Sequence, residues 1–588
     1  MTSVSSTFEI TGSLPGIVAA EARRDPGRTV FTALDHRGEP AAALTAGELD
    51  AAAGSLAATL RSHAAPGARV LVPAMPGLRF QVAFLACLYA GMAAVPVPAL
   101  SAPSAGGART RRLNRLEAIC RKIDPAIAVA PADRIDKLLA RGWVDDDQLA
   151  KIRLVSTDPS STAVPASAPE TAEDGELAFL QFTSGSTSAP RGVMITHGAL
   201  TANQALLCEH MGITEATTIV TWLPTYHDMG LSLGLLLPLY ARAAAVVMDP
   251  ATFVTHPQRW LQAMSGLPDV MSAAPDFAYA WCAKKVSEAD KAGLDLSGWR
   301  VGVDGAEPVR AQTLRAFQDA FAGCGLDERT LTPAYGLAES TLFVNGGSGE
   351  TAAVTRLYDR QALNDGKAAP ACDGPGTLGQ VELTGLGRPG PGVRVEIVDP
   401  QTRRGCPERS IGEIWVHSPS NGVGYWGDPD DSLQTFGATF ADGRGVRWLR
   451  TGDLGFVDDG ELFVTGRSKD LIVIHGANYY PQDFEQLARQ SHPLLEGELA
   501  AAFADEDAHR VTVVVEADRH TPAEAALEAA RAAVRAVTAE LPVTTDLVVV
   551  PRNQLPRTTS GKSQRREAAA RLRDGRFSIL AQWPRSFG

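Results

Sequence analysis

Between residues 44 and 155 the apolar positions change period several times. Stretches with helical spacing, such as LTAGELDAAAGSLAATLRSH, alternate with short apolar runs of strand character, RVLVPA, AAVPVPAL and PAIAVA. Alternating helical and strand periods predict βα units on a parallel sheet. The alternation resumes after Glu176, and residues 156–174, rich in Ser, Thr, Pro and Ala, read as a surface connection. Residues 82–100 (VAFLACLYAGMAAVPVPAL) carry no charge and are nearly long enough to span a bilayer. Gly91, Pro96 and Pro98 divide them, so a buried helix followed by a core strand is expected rather than a transmembrane span.

After Asn345 the pattern changes. Residues 346–384 are Gly-rich, weakly periodic and interrupted by Pro370 and Pro375, which is long for a loop inside a compact domain, so an insertion with a job or a mobile excursion is expected. Then come short alternating strands, VRVEIVD, GEIWVHS and GELFVTG, an antiparallel region. From Ser468 a small α/β unit follows, with strands VTVVVEA and DLVVVP. The helix between them is expected to start with Thr521 as N-cap, Pro522 in the first turn and Glu524 as the capping-box acid, and to run to about Leu541.

Composition narrows the class. A chain of 588 residues exceeds the roughly 250–300 at which single cores stop growing, so two or more domains are expected. With 45% hydrophobic, 21% charged and 6% aromatic residues, neither a fibre, a membrane bundle nor long disorder fits. The net charge of 55 − 67 = −12 makes nucleic acid an unfavoured partner. Seven scattered cysteines without a CxxC suggest neither a disulfide framework nor a zinc site and suit a reducing cytoplasm. The N-terminal MTSVSSTFEITGS has no basic stretch followed by an apolar core, so no secretory signal is read. The cluster Arg109, Arg111, Arg112 and Arg115 is expected to be a solvated helix face.

The strongest chemical signal is TSGSTSAPRGV (183–193), directly after the strand-like LAFLQF. On a strand-to-loop exit, Thr183, Ser184, Gly185, Ser186 and Thr187 can surround a polyphosphate with N–H and hydroxyl groups, and Arg191 can add charge. The run is not a GxxxxGK[ST] loop, and on its own it reads equally well as a flexible connection.

Further segments follow in order: WLPTYHDMGL (222–231), DGAEP (304–308), YGLAES (335–340), TGDLG (451–455), GRSKDLI (466–472) and PRTTSGK (556–562). Together with the phosphate loop they resemble the ordered motifs of the acyl-adenylating superfamily, which includes acyl-CoA synthetases, peptide-synthetase adenylation domains and firefly luciferase. The resemblance covers essentially the whole chain. Within that superfamily WLPTYHDMG, SAAPDFAYAWCAKKV and DGAEPVR, with an insertion at 346–384, look most like the fatty acyl-AMP ligases, which pass the acyl group to a carrier-protein thiol.

The resemblance implies an α/β fold: a large N-terminal adenylate-forming domain (1–467), with parallel sheets, helices and a distorted antiparallel β region, and a small mobile C-terminal α/β domain (468–588). It implies ATP and Mg2+ as cofactors, a medium- or long-chain fatty acid as substrate, and an acyl carrier protein acting in trans, since no carrier domain follows the lysine motif. Glu339 is expected to bind magnesium. Tyr335, beside Gly336, is expected to stack on adenine, with Gly305, Ala306 and Glu307 around base and ribose and Asp304 among the ATP-binding residues. Asp453 is expected to hold the ribose hydroxyls, Arg467 to reach the nucleotide, and Ser340 to join the ATP site. His227 is expected near the acyl carboxylate, Lys562 as the catalytic cation and Lys469 as the hinge.

Each residue also has a plain reading: Glu339 a capping or surface acid, Asp453 a turn residue, His227 a structural histidine, Lys469 and Lys562 exposed charges. Two departures stand out. Arg191 replaces a common lysine, with Ser188 and Ala189 where glycine is frequent, and Ala338 replaces a common threonine. LSLGLLLPL (231–239) with Phe277 and Trp281 supplies candidate walls for the acyl cavity, or ordinary core. A fatty acyl-CoA ligase, and a non-catalytic adenylate-binding scaffold, remain the alternative readings.

Overall fold

The computed structural model describes residues 12–99, 116–141, 151–158, 172–183, 190–371, 378–443, 445–474, 477–505, 510–558 and 561–584. The alternating periods of the first half become two largely parallel sheets. In the six-stranded sheet the strands lie in the order Arg153–Ser156, Ile127–Ala130, Arg69–Pro73, Ala93–Val97, Leu177–Thr183 and Arg191–Thr196; only the last pair is antiparallel. The nine-stranded sheet has at its centre the parallel strands Leu331–Gly336, Trp299–Gly305, Val270–Pro275, Thr218–Thr221 and Ala244–Val247. A short apolar run flanked by helices can bury both faces, which is why Ala93–Val97 is buried at every position.

The uncharged stretch at 82–100 divides as its breakers require. Arg79–Tyr89 is helical, Gly91 takes φ 68°, and Ala93–Val97 joins the sheet. No helix among the described residues is long and apolar enough to cross a membrane. The antiparallel region is a four-stranded sheet of Arg394–Val398, Gly412–His417, Leu449–Asp458 and Glu461–Arg467.

Residues 346–384 hold more order than their weak periodicity suggests. Thr355–Asp359 pairs antiparallel with Gln380–Thr384, the turn of helix Arg360–Asn364 lies between them, and Tyr358 is fully buried against Phe456 and Phe463. One aromatic anchor on a two-stranded ribbon leaves little periodic signal, because apart from Tyr358 only Thr384 of the two strands is buried.

The main hydrophobic cluster runs from Leu14 to Leu462, and a separate cluster runs from Ile472 to Ala581. In the latter, Ala500–Asp505, Arg510–Ala517, Thr545–Pro551 and Ala581–Trp583 form one sheet, covered by helix Ala523–Glu540. That helix begins later than expected. Pro522, at ψ 142°, is still extended and is itself the N-cap, so Thr521 does not cap the helix.

The two clusters are joined through the insertion. Arg360, 9% exposed, stands 3.4 Å from Asp483 and 3.5 Å from Glu540, and Gly379 N–H donates to Glu540 at 2.9 Å. Burial raises the Asp483 carboxyl, and the Arg360 guanidinium opposes that shift.

Candidate active site

Three adjacent parallel strands of the nine-stranded sheet end side by side, at the edge where open α/β sheets bind ligands, and the cleft is the space between that edge and the Lys562 loop. Val270–Pro275 leads into Asp276, Trp299–Gly305 into Ala306 and Glu307, and Leu331–Gly336 carries Tyr335 and Gly336 at its end. Behind them, Trp260, Tyr279, Trp299 and Phe317 pack edge-on at centroid distances of 5.1–5.9 Å. Such pairs add about 0.5–1.5 kcal/mol each beyond area burial and fix the two helices under the cleft wall.

Those helices exchange caps. Glu307 accepts from Phe277 N–H at 2.8 Å, at the start of helix Asp276–Lys285. Asp276 accepts from Arg310 N–H at 2.8 Å, from Arg310 Nη1 at 2.6 Å and from Thr313 Oγ1 at 3.1 Å, at the start of helix Ala311–Phe321. Burial pushes the Asp276 carboxyl up to about 6, against the pull of Arg310. Ala306 sits at φ 64°, a left-handed position that L-residues adopt at a cost. At Gly336 a Cβ would lie 2.0 Å from the Leu342 carbonyl oxygen, so only glycine allows this crossing.

Tyr335 and Asp453 meet across 118 residues of sequence. The Tyr335 hydroxyl donates to Asp453 Oδ2 at 2.7 Å, and Arg467 Nε donates to Oδ1 at 3.0 Å. Asp453 and Arg467 are opposite each other in the antiparallel pair Leu449–Asp458 and Glu461–Arg467, which sets that distance. Glu339 lies in the tight turn Ala338–Ser340; Thr341, at φ 62°, ends the turn, and its Oγ1 donates to Ser420 O at 2.6 Å. Burial raises the Glu339 carboxyl, and a 2.8 Å bond from the Tyr425 hydroxyl opposes the shift.

His227 directly precedes the helical turn Asp228–Leu231, its ring 4.5 Å from that of Tyr226. The preceding loop is held from both sides. Gln181 Nε2 donates to Tyr226 O at 3.0 Å, and Gly230 approaches Pro224 so closely that a Cβ would lie 2.2 Å from its carbonyl oxygen.

Lys562 reaches the same cleft from the C-terminal unit. Its loop closes through Lys562 N–H to Thr558 Oγ1 at 3.1 Å and Thr558 N–H to Lys562 O at 2.8 Å, with Gly561 at φ 87°. Water reaches the side chain, yet burial between protein walls depresses the ammonium below the usual lysine range. Arg467 lowers it further, while Glu307, Asp228 and Asp453 act in the opposite direction.

Not every expected residue faces the cleft. Asp304 is fully buried, neither carboxylate oxygen has a hydrogen-bond partner, and burial beside Asp276 raises its carboxyl far above the usual range. Ser340 is fully buried and its hydroxyl donates to Asn421 Oδ1 at 2.9 Å. Both lie behind the wall. Arg191 pairs with Asp431 at 2.6 Å and lies 5.1 Å over the Tyr425 ring. Thr183 ends its strand, whereas Ser184, Gly185, Ser186, Thr187 and the Arg109–Arg115 cluster lie outside the described residues. Lys469 is exposed on the single turn Ser468–Asp470, between the strands Glu461–Arg467 and Ile472–Ile474. The leucines of 231–239 are closed core, while Phe277 and Trp281 stand at 43% and 37% exposure. Asp228, Asp276 and Tyr425 were not singled out from sequence. The first is inside the quoted WLPTYHDMGL segment, and the GVGYW glycines beside Tyr425 were the available signal for the third.

The sheets, the separate C-terminal unit and the cleft between them define an adenylate-forming type of α/β enzyme. The AMP-binding enzyme family matches residues 18–426, and the AMP domain of Disco-interacting protein 2-like proteins matches residues 469–582. The medium-chain-fatty-acid–[acyl-carrier-protein] ligase JamA of Moorena producens is 36% identical over 565 residues, covering 95% of this chain and 94% of JamA. The long-chain-fatty-acid–AMP ligase FadD26 of Mycobacterium marinum is 35% identical, covering 97% of this chain and 98% of FadD26. A solved structure from a study of fatty acyl-adenylate ligases of E. coli and L. pneumophila superposes with TM-score 0.85 at 31% identity, over 96% of this chain and 98% of that one. The chain belongs to the AMP-binding enzyme family.

Proposed function

We propose that the protein activates a medium- or long-chain fatty acid with ATP, forming acyl-adenylate and pyrophosphate, and then passes the acyl group to the phosphopantetheine thiol of a separate acyl carrier protein. The observation that carries this reading is the arrival of Lys562 in a cleft that already holds Tyr335, Asp453, Arg467 and Glu307. The printed activities of JamA and FadD26 support the substrate class, and that of JamA supports the carrier.

Tyr335 offers a face for adenine and Asp453 two acceptor oxygens for the ribose hydroxyls. Lys562 opposes the repulsion as a fatty carboxylate oxygen attacks the α-phosphorus and the bond to pyrophosphate breaks. Glu339 supplies one hard carboxylate, and no cluster of three or more such ligands occurs among the described residues. That donor set fits magnesium, which is commonly held by one or two carboxylates together with substrate phosphates. When bound, the ion neutralises phosphate charge. We assign His227 to the mouth of the acyl site and the Ser184–Thr187 loop to the phosphates. Residues 468–588 are assigned to a mobile domain hinged at Lys469. A cytoplasmic location fits the need for ATP. Fatty-acid-dependent pyrophosphate release in the presence of ATP and magnesium tests the first step, and its absence with every chain length would revive the scaffold reading.

The insertion touches the C-terminal unit through Arg360 and Gly379, and we assign it a part in acceptor choice through the restraint these contacts place on that unit. Replacing Arg360 by alanine leaves Asp483 and Glu540 without their shared cation, a loss of about 1–3 kcal/mol. The expected result is faster proteolysis between the two units and a gain of acyl-CoA product. If coenzyme A is used no better than by the parent protein, the insertion has no part in acceptor choice.

A further inference from the structure

Residues 422–426, Gly-Val-Gly-Tyr-Trp, run as a strap beside strand Arg191–Thr196, which follows the phosphate loop in the chain. Three backbone bonds stitch the two: Met194 N–H to Gly424 O at 2.9 Å, Val423 N–H to Met194 O at 3.0 Å and Trp426 N–H to Gly192 O at 2.8 Å. At its other end Gly422 N–H donates to the carbonyl of Glu339 at 2.9 Å. Gly422 makes this approach possible, because a Cβ there would meet Val193 Cγ1 at 2.9 Å and Met194 O at 3.0 Å.

Tyr425 is the one side chain of the strap that reaches Glu339. It is buried, its ring packs edge-on to Phe436 at 5.2 Å, and its hydroxyl donates to Glu339 Oε1 at 2.8 Å. The Arg191 guanidinium, which Asp431 holds at 2.6 Å, lies 5.1 Å over the Tyr425 ring. A carboxylate on a short turn has free rotation about its side-chain bonds unless a partner fixes it. Groups that orient a metal ligand from behind set both its geometry and its affinity.

We propose that Tyr425 is the positioning residue of the metal-binding carboxylate: its hydroxyl fixes Glu339 Oε1, and the strap holds that carboxylate in register with the strand leaving the phosphate loop. This inference rests on the reading of Glu339 as the magnesium residue.

The test compares the full-length parent, Tyr425→Phe and Glu339→Gln by calorimetric titration with a non-hydrolysable ATP analogue, in EDTA and across a Mg2+ series. Mn2+ binding to the nucleotide complex is followed by electron paramagnetic resonance. Tyr425→Phe keeps the ring that Arg191 covers and removes only the donor. It is expected to bind metal-free nucleotide as the parent does, while the Mg2+ and Mn2+ concentrations for half-saturation rise about tenfold. An unchanged metal response, or an equal loss of nucleotide affinity with and without metal, would overturn the positioning role and leave Tyr425 as packing. Glu339→Gln separates the two layers of the argument. If that variant shows the parent's metal response, the magnesium reading itself is overturned; if it is impaired and Tyr425→Phe is not, only the positioning role is lost.

Discussion

Lys562→Ala is expected to slow acyl-adenylate formation by roughly 10²–10³-fold, the usual effect of removing one pre-placed group that meets developing charge. The attacking carboxylate and the α-phosphate repel each other, and Lys562 is the cation that the C-terminal unit brings to the cleft. Transfer of a supplied acyl-adenylate to thiol does not need that cation and is expected to keep its parent rate. The two half-reactions therefore separate in single-turnover measurements. A pH effect follows from the depressed ammonium. Only the charged form assists attack, so adenylation by the parent protein falls as pH rises through the lowered lysine pKa. The alanine variant lacks that limb. Equal losses in both half-reactions would point to a folding defect instead, and adenylation at the parent rate would remove Lys562 from the chemistry.

Asp453→Ala is the second large effect. The two charge-assisted hydrogen bonds we propose to the ribose, at about 1.5 kcal/mol each, correspond to a rise in the KM for ATP of roughly a hundredfold. The variant also loses stability, because the buried Tyr335 hydroxyl loses its acceptor, at about 1–3 kcal/mol. The Arg467 side chain is 57% exposed, so its pair with Asp453 adds little to stability. Tyr335→Phe separates the contributions. It removes the internal bond alone and is expected to lower the melting midpoint while leaving the KM for ATP near that of the parent. A Tyr335→Phe variant with the full ATP defect would mean that Asp453 acts through Tyr335 rather than on the nucleotide.

The sequence patterns that proved most informative were those with long or repeated signals. The strands at RVLVPA and PAIAVA, the helix-then-strand split at 82–100 and the antiparallel sheet after residue 393 all follow from period and breakers. The insertion did not, since its order depends on Tyr358, Leu363 and Ala368 packing against Phe456 and Phe463 and on ion pairs with a distant unit. Nor did the start of the Ala523–Glu540 helix, where Thr521 and Pro522 compete as caps one residue apart. In the cleft, Tyr335, Asp453, Arg467 and Lys562 lie near one another, but motifs do not say where a side chain turns. Asp304 and Ser340 share segments with Glu307 and Glu339, yet both point into the core. Tyr425 lies 86 residues from its partner Glu339, with no periodic relation between them, and only the folded chain brings the two together.

Mass spectrometry of the purified protein with ATP, magnesium and a ladder of fatty acids tests the account most directly, with coenzyme A or a phosphopantetheinylated carrier protein as acceptor. The predicted result is acyl-adenylate for medium or long chains that persists with coenzyme A and is consumed by the carrier. Efficient acyl-CoA formation, or no adenylate with any acid, would contradict it.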